Sequence, residues 1–288
     1  MEKQKFKAAV GEYRSFMAGV AESVGWVSAD WASDVWLEGS RRFLQTVEEL
    51  VPAGSEVLDF GCGVGFMAVL LDKMDYRVTG IDIDVGGQQH VVESACFAPW
   101  GTWQLELAHP EFLDDCWRRT SDRYGITLRN FDGRNVPFTD ESFDVVVAHA
   151  VIEHMKPEII REVLREIKRV LKEGGVFLIS RTPRKGSYLE RLFRLRFLKN
   201  YSHQILYDES ELAALVVGEG FTLMQKDVSD MFPAFPPRGM RLYNAISPLL
   251  IKLDGLLLRT PLKRYAHHMS MAFRKDPDVG LFNAEDRI

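Results

Sequence analysis

The spacing of apolar residues changes near residue 50, and this change separates two kinds of predicted structure. From residue 3 to residue 50, apolar side chains recur every three or four positions, which predicts helices. From Ser55 onward, short apolar runs alternate with helical periods. The runs that predict strands are SEVLDF, YRVTGID, ITLRNF, FDVVVAHA and VFLISRTP, and the segments that predict helices are FMAVLLDKM and PEIIREVLREIKRVLKEGG, the second closed by its glycines.

The carboxyl-terminal part continues the same alternation. DESELAALVVGEG predicts a helix capped by Asp208, with Glu211 three residues later, and FTLMQKDV and AHHMSMAFRK predict two further strands. Strands that alternate with helices indicate an α/β fold with a doubly wound, mostly parallel sheet, here of seven strands. We expect N-terminal helices over residues 1–50, a core over 51–235 with an insertion at about 85–124, and a C-terminal helix, last strand and polar tail over 236–288.

The loop after the first predicted strand carries the most specific chemistry. VLDFGCGVGF, residues 57–66, places Asp59 at the strand end and glycines at 61, 63 and 65. The phosphate-binding pattern GxxxxGK followed by Ser or Thr is absent, and the dinucleotide pattern GxGxxG needs a small residue where Phe66 stands. An acid beside the turn would repel a pyrophosphate but suits a ligand that is positively charged at that point. A nicotinamide-dependent oxidoreductase remains an alternative, disfavoured by Asp59 and Phe66.

Composition narrows the function classes further. The formal net charge of −5 argues against a general nucleic-acid binder, which needs a basic surface. The charged start MEKQKFK and the interruption of SPLLIKLDGLLLR by Pro248, Lys252 and Asp254 predict neither a signal peptide nor a membrane span, so we expect a cytoplasmic protein. The three cysteines lack the spacing of a disulfide framework or a zinc site, so no metal site is expected.

Three further motifs follow the glycine loop in order. Asp82 ends the second strand, 23 residues after Asp59, where a carboxylate can accept both hydroxyls of a ribose. Asp132 begins the segment DGRNVPFTDESFDVVV after the third strand, and AHAVIEHM, residues 148–155, ends the fourth. Together with VLDFGCGVG, these motifs resemble the class I S-adenosylmethionine-dependent methyltransferases. The likeness covers roughly residues 45–228 and is strongest to the small-molecule branch typified by ubiquinone and menaquinone methyltransferases.

This resemblance implies a Rossmann-like fold, S-adenosylmethionine as cofactor and a small-molecule acceptor whose methylated atom is oxygen, nitrogen or carbon. In the family, the first acid helps to hold the methionine ammonium group, the acid after strand two accepts the ribose hydroxyls, and the acid after strand three accepts the adenine amino group. The cofactor-binding residues carried over to this chain are Asp59, Gly61, Cys62, Gly63, Asp82, Ile83, Asp132, Gly133 and His149.

The same resemblance offers two candidate catalytic residues. His154 follows Glu153 at the end of the fourth strand, and His203 lies in NYSHQILYDESEL, where family members often carry a histidine that faces the substrate. The alternatives are that Glu153 and His154 orient the next loop and that His203 packs in its own loop. For His149 a structural role is the alternative, and a member that binds the cofactor without turnover is the rival to an enzyme.

Three features bear on the acceptor or its surroundings. The insertion between Asp82 and Asp132 contains Phe97, Trp100, Trp103, Phe112 and Trp117, which indicates a helical lid or an aromatic patch on the N-terminal helices. The basic segment RTPRKGSYLERLFRLRFLK, residues 181–199, predicts either contact with an anionic, sugar-linked or lipid-linked acceptor or a solvated helix face. The apolar segment MRLYNAISPLLIKLDGLLLRTPLKRYA, with basic flanks, could cover the cleft or contact a membrane peripherally.

Overall fold

The computed structural model describes residues 1–23, 33–83, 112–155, 157–196, 205–233 and 240–277. At the amino end, α1 (Lys3–Ser23) and α2 (Asp34–Leu50) occur where the apolar period predicts helices. Ser33 caps α2, because its side chain accepts a hydrogen bond from the Trp36 backbone amide at 3.1 Å. Tyr13 and Leu44 are fully buried, so both helices turn their apolar faces to the core.

The central part alternates between strands and helices as the sequence predicts. Its elements are β1 (Glu56–Phe60), α3 (Phe66–Asp72), β2 (Arg77–Ile83), α4 (Phe112–Tyr124), β3 (Thr127–Phe131), β4 (Phe143–His149), α5 (Pro157–Val170), β5 (Leu171–Pro183), α6 (Tyr188–Arg196), α7 (Glu209–Val217) and β6 (Phe221–Ser229). They are followed by α8 (Met240–Leu257) and β7 (His268–Lys275), and short 3-10 helices span Ile152–His154 and Pro261–Tyr265.

The seven strands form one sheet in the order β3-β2-β1-β4-β5-β7-β6, in which β7 runs antiparallel to both neighbours. This confirms the predicted doubly wound, mostly parallel α/β fold. The chain builds outward from β1 in one direction and from β4 in the other, so a crevice opens between the carboxyl ends of these two strands. Asp59 pairs in register with Gly80 of β2 and Val147 of β4, which places the strand-end residues of all three at one edge.

Two apolar layers enclose the sheet. Buried residues of α1 to α4 form one cluster with side chains such as Val57 and Val145, and α5 and α7 form the other with side chains such as Leu58 and Val146. Consecutive strand residues therefore face opposite layers, as strand geometry requires. Helix α8 lies outside the first layer and packs against α2.

Two local predictions can be compared with the structure. The capping box of α7 is confirmed, since Asp208 accepts from the amides of Ser210 and Glu211 at 2.8 Å each. The helix predicted to close at the glycines ends earlier, at Val170, and β5 begins at Leu171, which pairs with Phe143. The strand then passes through an irregularity in which a side chain on Gly175 would lie 2.8 Å from the Lys172 carbonyl oxygen.

The structure bears on two further expectations, the absence of a membrane span and the insertion after β2. No helix in the described ranges is long and apolar enough to cross a bilayer, and α8 continues through Pro248 rather than breaking there. Residues 112–124 of the insertion form α4, whereas residues 84–111, with Cys96, Phe97, Trp100 and Trp103, lie outside the described residues.

Candidate functional site

The glycine loop between β1 and α3 uses backbone conformations that favour glycine. Gly61, Gly63 and Gly65 have φ angles of 76°, 50° and 85°. A Cβ on Gly61 would lie 2.4 Å from a methyl group of Val151, and one on Gly65 would lie 2.8 Å from Leu128. No described atom lies within 4 Å of the corresponding position on Gly63, which leaves that side of the loop open to a ligand.

Two helices hold this loop from outside the sheet. The Tyr13 hydroxyl of α1 donates to the Val64 carbonyl oxygen at 3.0 Å, and Trp117 Nε1 of α4 donates to the Gly63 carbonyl oxygen at 2.7 Å. At the start of α3, the Phe66 ring lies 5.3 Å from the Tyr13 ring and 5.4 Å from the Trp36 ring, centroid to centroid. The position that the dinucleotide pattern reserves for a small residue is therefore filled by aromatic packing.

Asp59 lies at the end of β1 beneath the loop and is almost fully buried. Its Oδ2 atom has no hydrogen-bond partner among the described residues. Burial, together with the nearby Asp82 carboxylate, raises the pKa of Asp59 to about 7, although the Ala68 backbone amide donates to this carboxyl. A buried acid with a free oxygen fits a ligand that brings a positive charge.

Asp82 lies at the end of β2 and faces the same loop. Its Oδ2 accepts from the Gly63 amide at 2.6 Å and its Oδ1 accepts from the Ile83 amide at 2.7 Å. Burial raises the pKa of Asp82 to about 6, and these two amides counteract the rise. The carboxylate thus fixes the loop conformation while its remaining lone pairs stay available to a ligand.

The end of β3 brings Asp132 and Gly133 next to the end of β2, since Ile83 pairs in register with Phe131. Gly133 has a φ angle of 78°, a conformation that favours glycine. Ile83, at the end of β2, is buried. Asp132 is exposed, and its carboxylate accepts from the Arg134 amide at 2.8 Å and from the Asn135 amide at 2.6 Å. These local bonds lower the pKa of Asp132. The geometry places Asp132 at the same sheet edge as Asp82, and its carboxylate is engaged by its own turn.

His149 ends β4 on the opposite side of the crevice. Its Nδ1 lies 2.6 Å from the Ser180 hydroxyl, and its ring contacts those of Trp36 and Phe43 at centroid distances of 5.6 Å each. Burial and the charge of Arg181 lower the pKa of His149 to about 3. The imidazole is therefore neutral near pH 7, and its Nε2 has no hydrogen-bond partner among the described residues.

Arg181 follows Ser180 near the end of β5 in a left-handed conformation, with φ of 61°. Its guanidinium Nη1 lies 3.3 Å from an Asp230 oxygen and 3.3 Å from the Trp36 carbonyl oxygen, and the group stacks on the Trp36 ring at 5.0 Å. Asp230 also contacts His268 Nδ1 at 2.6 Å. The Arg181 charge lowers the pKa of Asp230. Burial lowers the pKa of His268, and the neighbouring His267 and Arg181 lower it further.

The remaining candidates are less informative. Glu153 is buried in the 3-10 helix, and His154 is half-buried at its end, so both stay predictions for loop orientation or catalysis. His203 lies outside the described residues. The Cys62 thiol is buried within the glycine loop, which raises its pKa and keeps it uncharged, as expected for an unreactive thiol.

Sequence reasoning identified the strand-end residues but missed the groups that hold them. Tyr13 and Trp117 were visible only as members of apolar patterns, and Arg181 only as one charge in a basic segment. The first part of the basic segment is paired within the protein, since Arg181 pairs with Asp230, Arg184 with Glu209 and Lys185 with Glu211. Its first three cations thus have carboxylate partners within the protein.

Comparison with protein families identifies the domain. The sequence model described as a methyltransferase domain matches residues 35–226. A Mycolicibacterium smegmatis protein named "Probable S-adenosylmethionine-dependent methyltransferase" is 32% identical over 136 residues, which cover 47% of this chain and 41% of that protein. A Caenorhabditis elegans sterol 4-C-methyltransferase is 32% identical over 124 residues, covering 42% of this chain and 29% of that protein. The chain thus spans less than half the length of these two curated relatives.

A solved structure agrees on the fold. The crystal structure of an S-adenosylmethionine-dependent methyltransferase from Methanosarcina mazei has a TM-score of 0.51 to this chain, at 16% sequence identity. The superposition covers 80% of this chain and 97% of the other. These matches support a methyltransferase domain in general, and the likeness to the ubiquinone and menaquinone branch stays a prediction.

Proposed function

Since the chain belongs to the methyltransferase-domain family, with S-adenosylmethionine as its cofactor, we propose that it methylates an uncharged small molecule with a large apolar part, such as a lipid-linked acceptor. The observation that carries the proposal is the surrounding of His149. Its ring contacts Trp36 and Phe43, and the nearby Arg181 is already paired with Asp230. An aromatic wall beside a compensated cation favours an apolar body over an anionic one.

The cofactor suits the described residues of the crevice. Asp59 would hold the ammonium group of the methionine portion, Asp82 the ribose hydroxyls and Asp132 the adenine amino group. The open side of Gly63 and the free oxygen of Asp59 support this arrangement, since they offer space and negative charge at one place. The further residues proposed to line the cofactor are Gly61, Cys62, Ile83, Gly133 and His149.

The bound sulfonium would supply the activated methyl group, so the protein's tasks are orientation and exclusion of water. Trp36, Phe43 and Phe66 are buried, and their packed rings exclude water beside the strand ends. His149 is neutral with a buried Nε2, and with a pKa of about 3 its imidazole is a weak base. His154 and His203 remain the candidates for a stronger base.

The alternative acceptors receive less support. An anionic acceptor needs uncompensated cations, whereas three of the seven cations of residues 181–199 have carboxylate partners, namely Arg181, Arg184 and Lys185. The acceptor class suggested by the sterol methyltransferase relative is apolar, in line with the wall around His149. The oxidoreductase alternative is disfavoured, because Phe66 fills the position where the dinucleotide pattern needs a small residue for close packing of the helix on the strand.

The test uses the full chain with S-adenosylmethionine labelled in its methyl group, incubated separately with an organic-solvent extract and an aqueous extract of cells. We expect label to enter a compound of the organic extract. Asp82→Ala should abolish the transfer, whereas Asp227→Ala, which removes a strand carboxylate with a similar bond to the next amide, should not. Label found only in anionic compounds of the aqueous extract would overturn the acceptor class. Binding of S-adenosylhomocysteine without transfer to either extract would indicate a non-catalytic protein.

A further inference from the structure

The outer face of α8 carries an apolar stripe that the described protein leaves exposed. Five large apolar side chains lie at alternating spacings of four and three residues, and their exposed fractions run from 38% to 72%. They are Leu242, Ile246, Leu249, Leu253 and Leu256. At roughly 100° per residue, this spacing keeps all five within about 80° on one side of the helix. The α8 stripe is therefore continuous over the length of the helix.

Polar contacts fix the opposite side of α8 to α2. The Ser247 hydroxyl lies 3.0 Å from Asp34, and Asp254 accepts from Arg42 Nη1 at 2.9 Å. Asp254 also accepts from the Met231 amide at 2.6 Å, just beyond the end of β6. Because Ser247 and Asp254 are buried, the helix cannot rotate the stripe inward without breaking these bonds. The stripe faces outward as a consequence of the packing itself.

The charges around the stripe have one sign. Between residues 240 and 265, the sole acid is the buried Asp254, whereas the chain as a whole carries a net charge of −5. The exposed cations of this segment are Arg241, Lys252, Arg259, Lys263 and Arg264. Arg241 and Lys252 fall within about 20° of each other beside the stripe on the helical wheel. An apolar stripe bordered by cations matches a surface that is apolar within and anionic at its edge.

We propose that α8 and the following 3-10 helix bind the surface of a membrane rich in anionic lipids, with the α8 stripe in the acyl boundary and the cations at the headgroups. A second copy of the chain fits less well, since a pairing of two stripes would bring cations together without an exposed acid in this segment to meet them. This inference goes beyond the proposed methyl transfer and does not depend on the acceptor.

The test is co-sedimentation of the full chain with vesicles of phosphatidylcholine, with and without about one third phosphatidylglycerol. We expect binding to the anionic vesicles alone, weakened by salt. Leu249→Glu with Leu253→Glu, and separately Arg241→Gln with Lys252→Gln, should each weaken the binding by about tenfold or more. The controls are Val217→Glu, an exposed apolar residue on α7 in the other layer, and Lys226→Gln, an exposed cation of β6; both should bind like the parent.

Four outcomes would overturn the proposal: no binding to anionic vesicles, equal binding to both kinds of vesicle, parental binding by both double variants, or equal losses in the controls. Sedimentation velocity tests whether a second copy of the chain covers the stripe instead of a membrane. A dimer in the absence of vesicles that dissociates in the Leu249→Glu and Leu253→Glu variant would assign the stripe to a second copy and would likewise overturn the proposal. Because these side chains are exposed, thermal unfolding should show the variants to be folded.

Discussion

At the scale of single residues, the candidate site depends on two carboxylates that face one loop, the buried Asp59 and the half-buried Asp82. Asp82 holds the loop through the Gly63 amide and would also accept the ribose hydroxyls. We expect Asp82→Ala to weaken S-adenosylhomocysteine binding by at least about a hundredfold, since it removes charged hydrogen bonds in a half-buried place. Calorimetry measures the affinity, with Asp227→Ala as the matched control. Parental affinity in a folded Asp82→Ala variant would remove this residue from the site.

The second residue-scale prediction concerns pH. Without ligand, the pKa of Asp59 is raised to about 7, so its carboxyl is substantially protonated below that pH. An ammonium group bound beside it favours the carboxylate and lowers the pKa in the complex, so binding releases a proton. The affinity for S-adenosylhomocysteine should therefore increase from about pH 5 to about pH 7 and then level off.

Calorimetry in buffers with different ionisation enthalpies measures this released proton directly. Asp82 contributes to the same titration, since its pKa is raised to about 6 and its charge acts on Asp59. Asp59→Asn should flatten the upper part of the pH dependence of the affinity. It should also reduce the number of protons released on binding near pH 6.5, which lies about half a unit below the Asp59 pKa. An affinity that is independent of pH in the parent protein would contradict a charge contact at Asp59.

At the scale of elements, the N-terminal helix acts on the glycine loop through one hydrogen bond. Tyr13→Phe removes the donor to the Val64 carbonyl oxygen and leaves the ring in place. The variant should lose about 1 kcal/mol of folding free energy and bind S-adenosylhomocysteine about three- to tenfold more weakly. Tyr76→Phe is the control, because it removes a buried bond to the Val51 carbonyl oxygen away from the loop. Equal affinities in the two variants would argue against a role for α1 in holding the loop.

The element scale also separates what the sequence predicts from what it does not. Strand identity and the shared edge of Asp59, Asp82 and His149 follow from apolar runs and from the rule that parallel strands end at one side. The bond from Trp117 to Gly63 joins residues 54 positions apart, so no local pattern indicates it. The early end of α5 depends on Leu171, whose burial and pairing with Phe143 override the helical period.

At the scale of the whole molecule, buried charges join the N-terminal helices to the carboxyl edge of the sheet. Arg181 connects β5 with the Trp36 carbonyl of α2 and with Asp230 beyond β6, and Asp230 contacts His268 of β7. Such a network is costly to bury and costly to break, because removal of one member leaves another charge without compensation. Through the Trp36 carbonyl the network contacts α2 beside His149, so we expect it to help position the proposed acceptor wall.

Arg181→Met should therefore lower the free energy of unfolding by about 3–5 kcal/mol, and Asp230→Asn in the same chain should recover part of that loss. Because the Arg181 charge contributes to the low pKa of His149, the variant should also raise that pKa, which NMR titration of the imidazole measures. Arg184→Met provides the control: this buried arginine bonds Glu209 and the Ala266 carbonyl oxygen, so its loss should reduce stability without moving the His149 titration. An unchanged His149 pKa in Arg181→Met would separate the network from the crevice, and the acceptor wall would then have to be positioned by the packing of Trp36 and Phe43 alone.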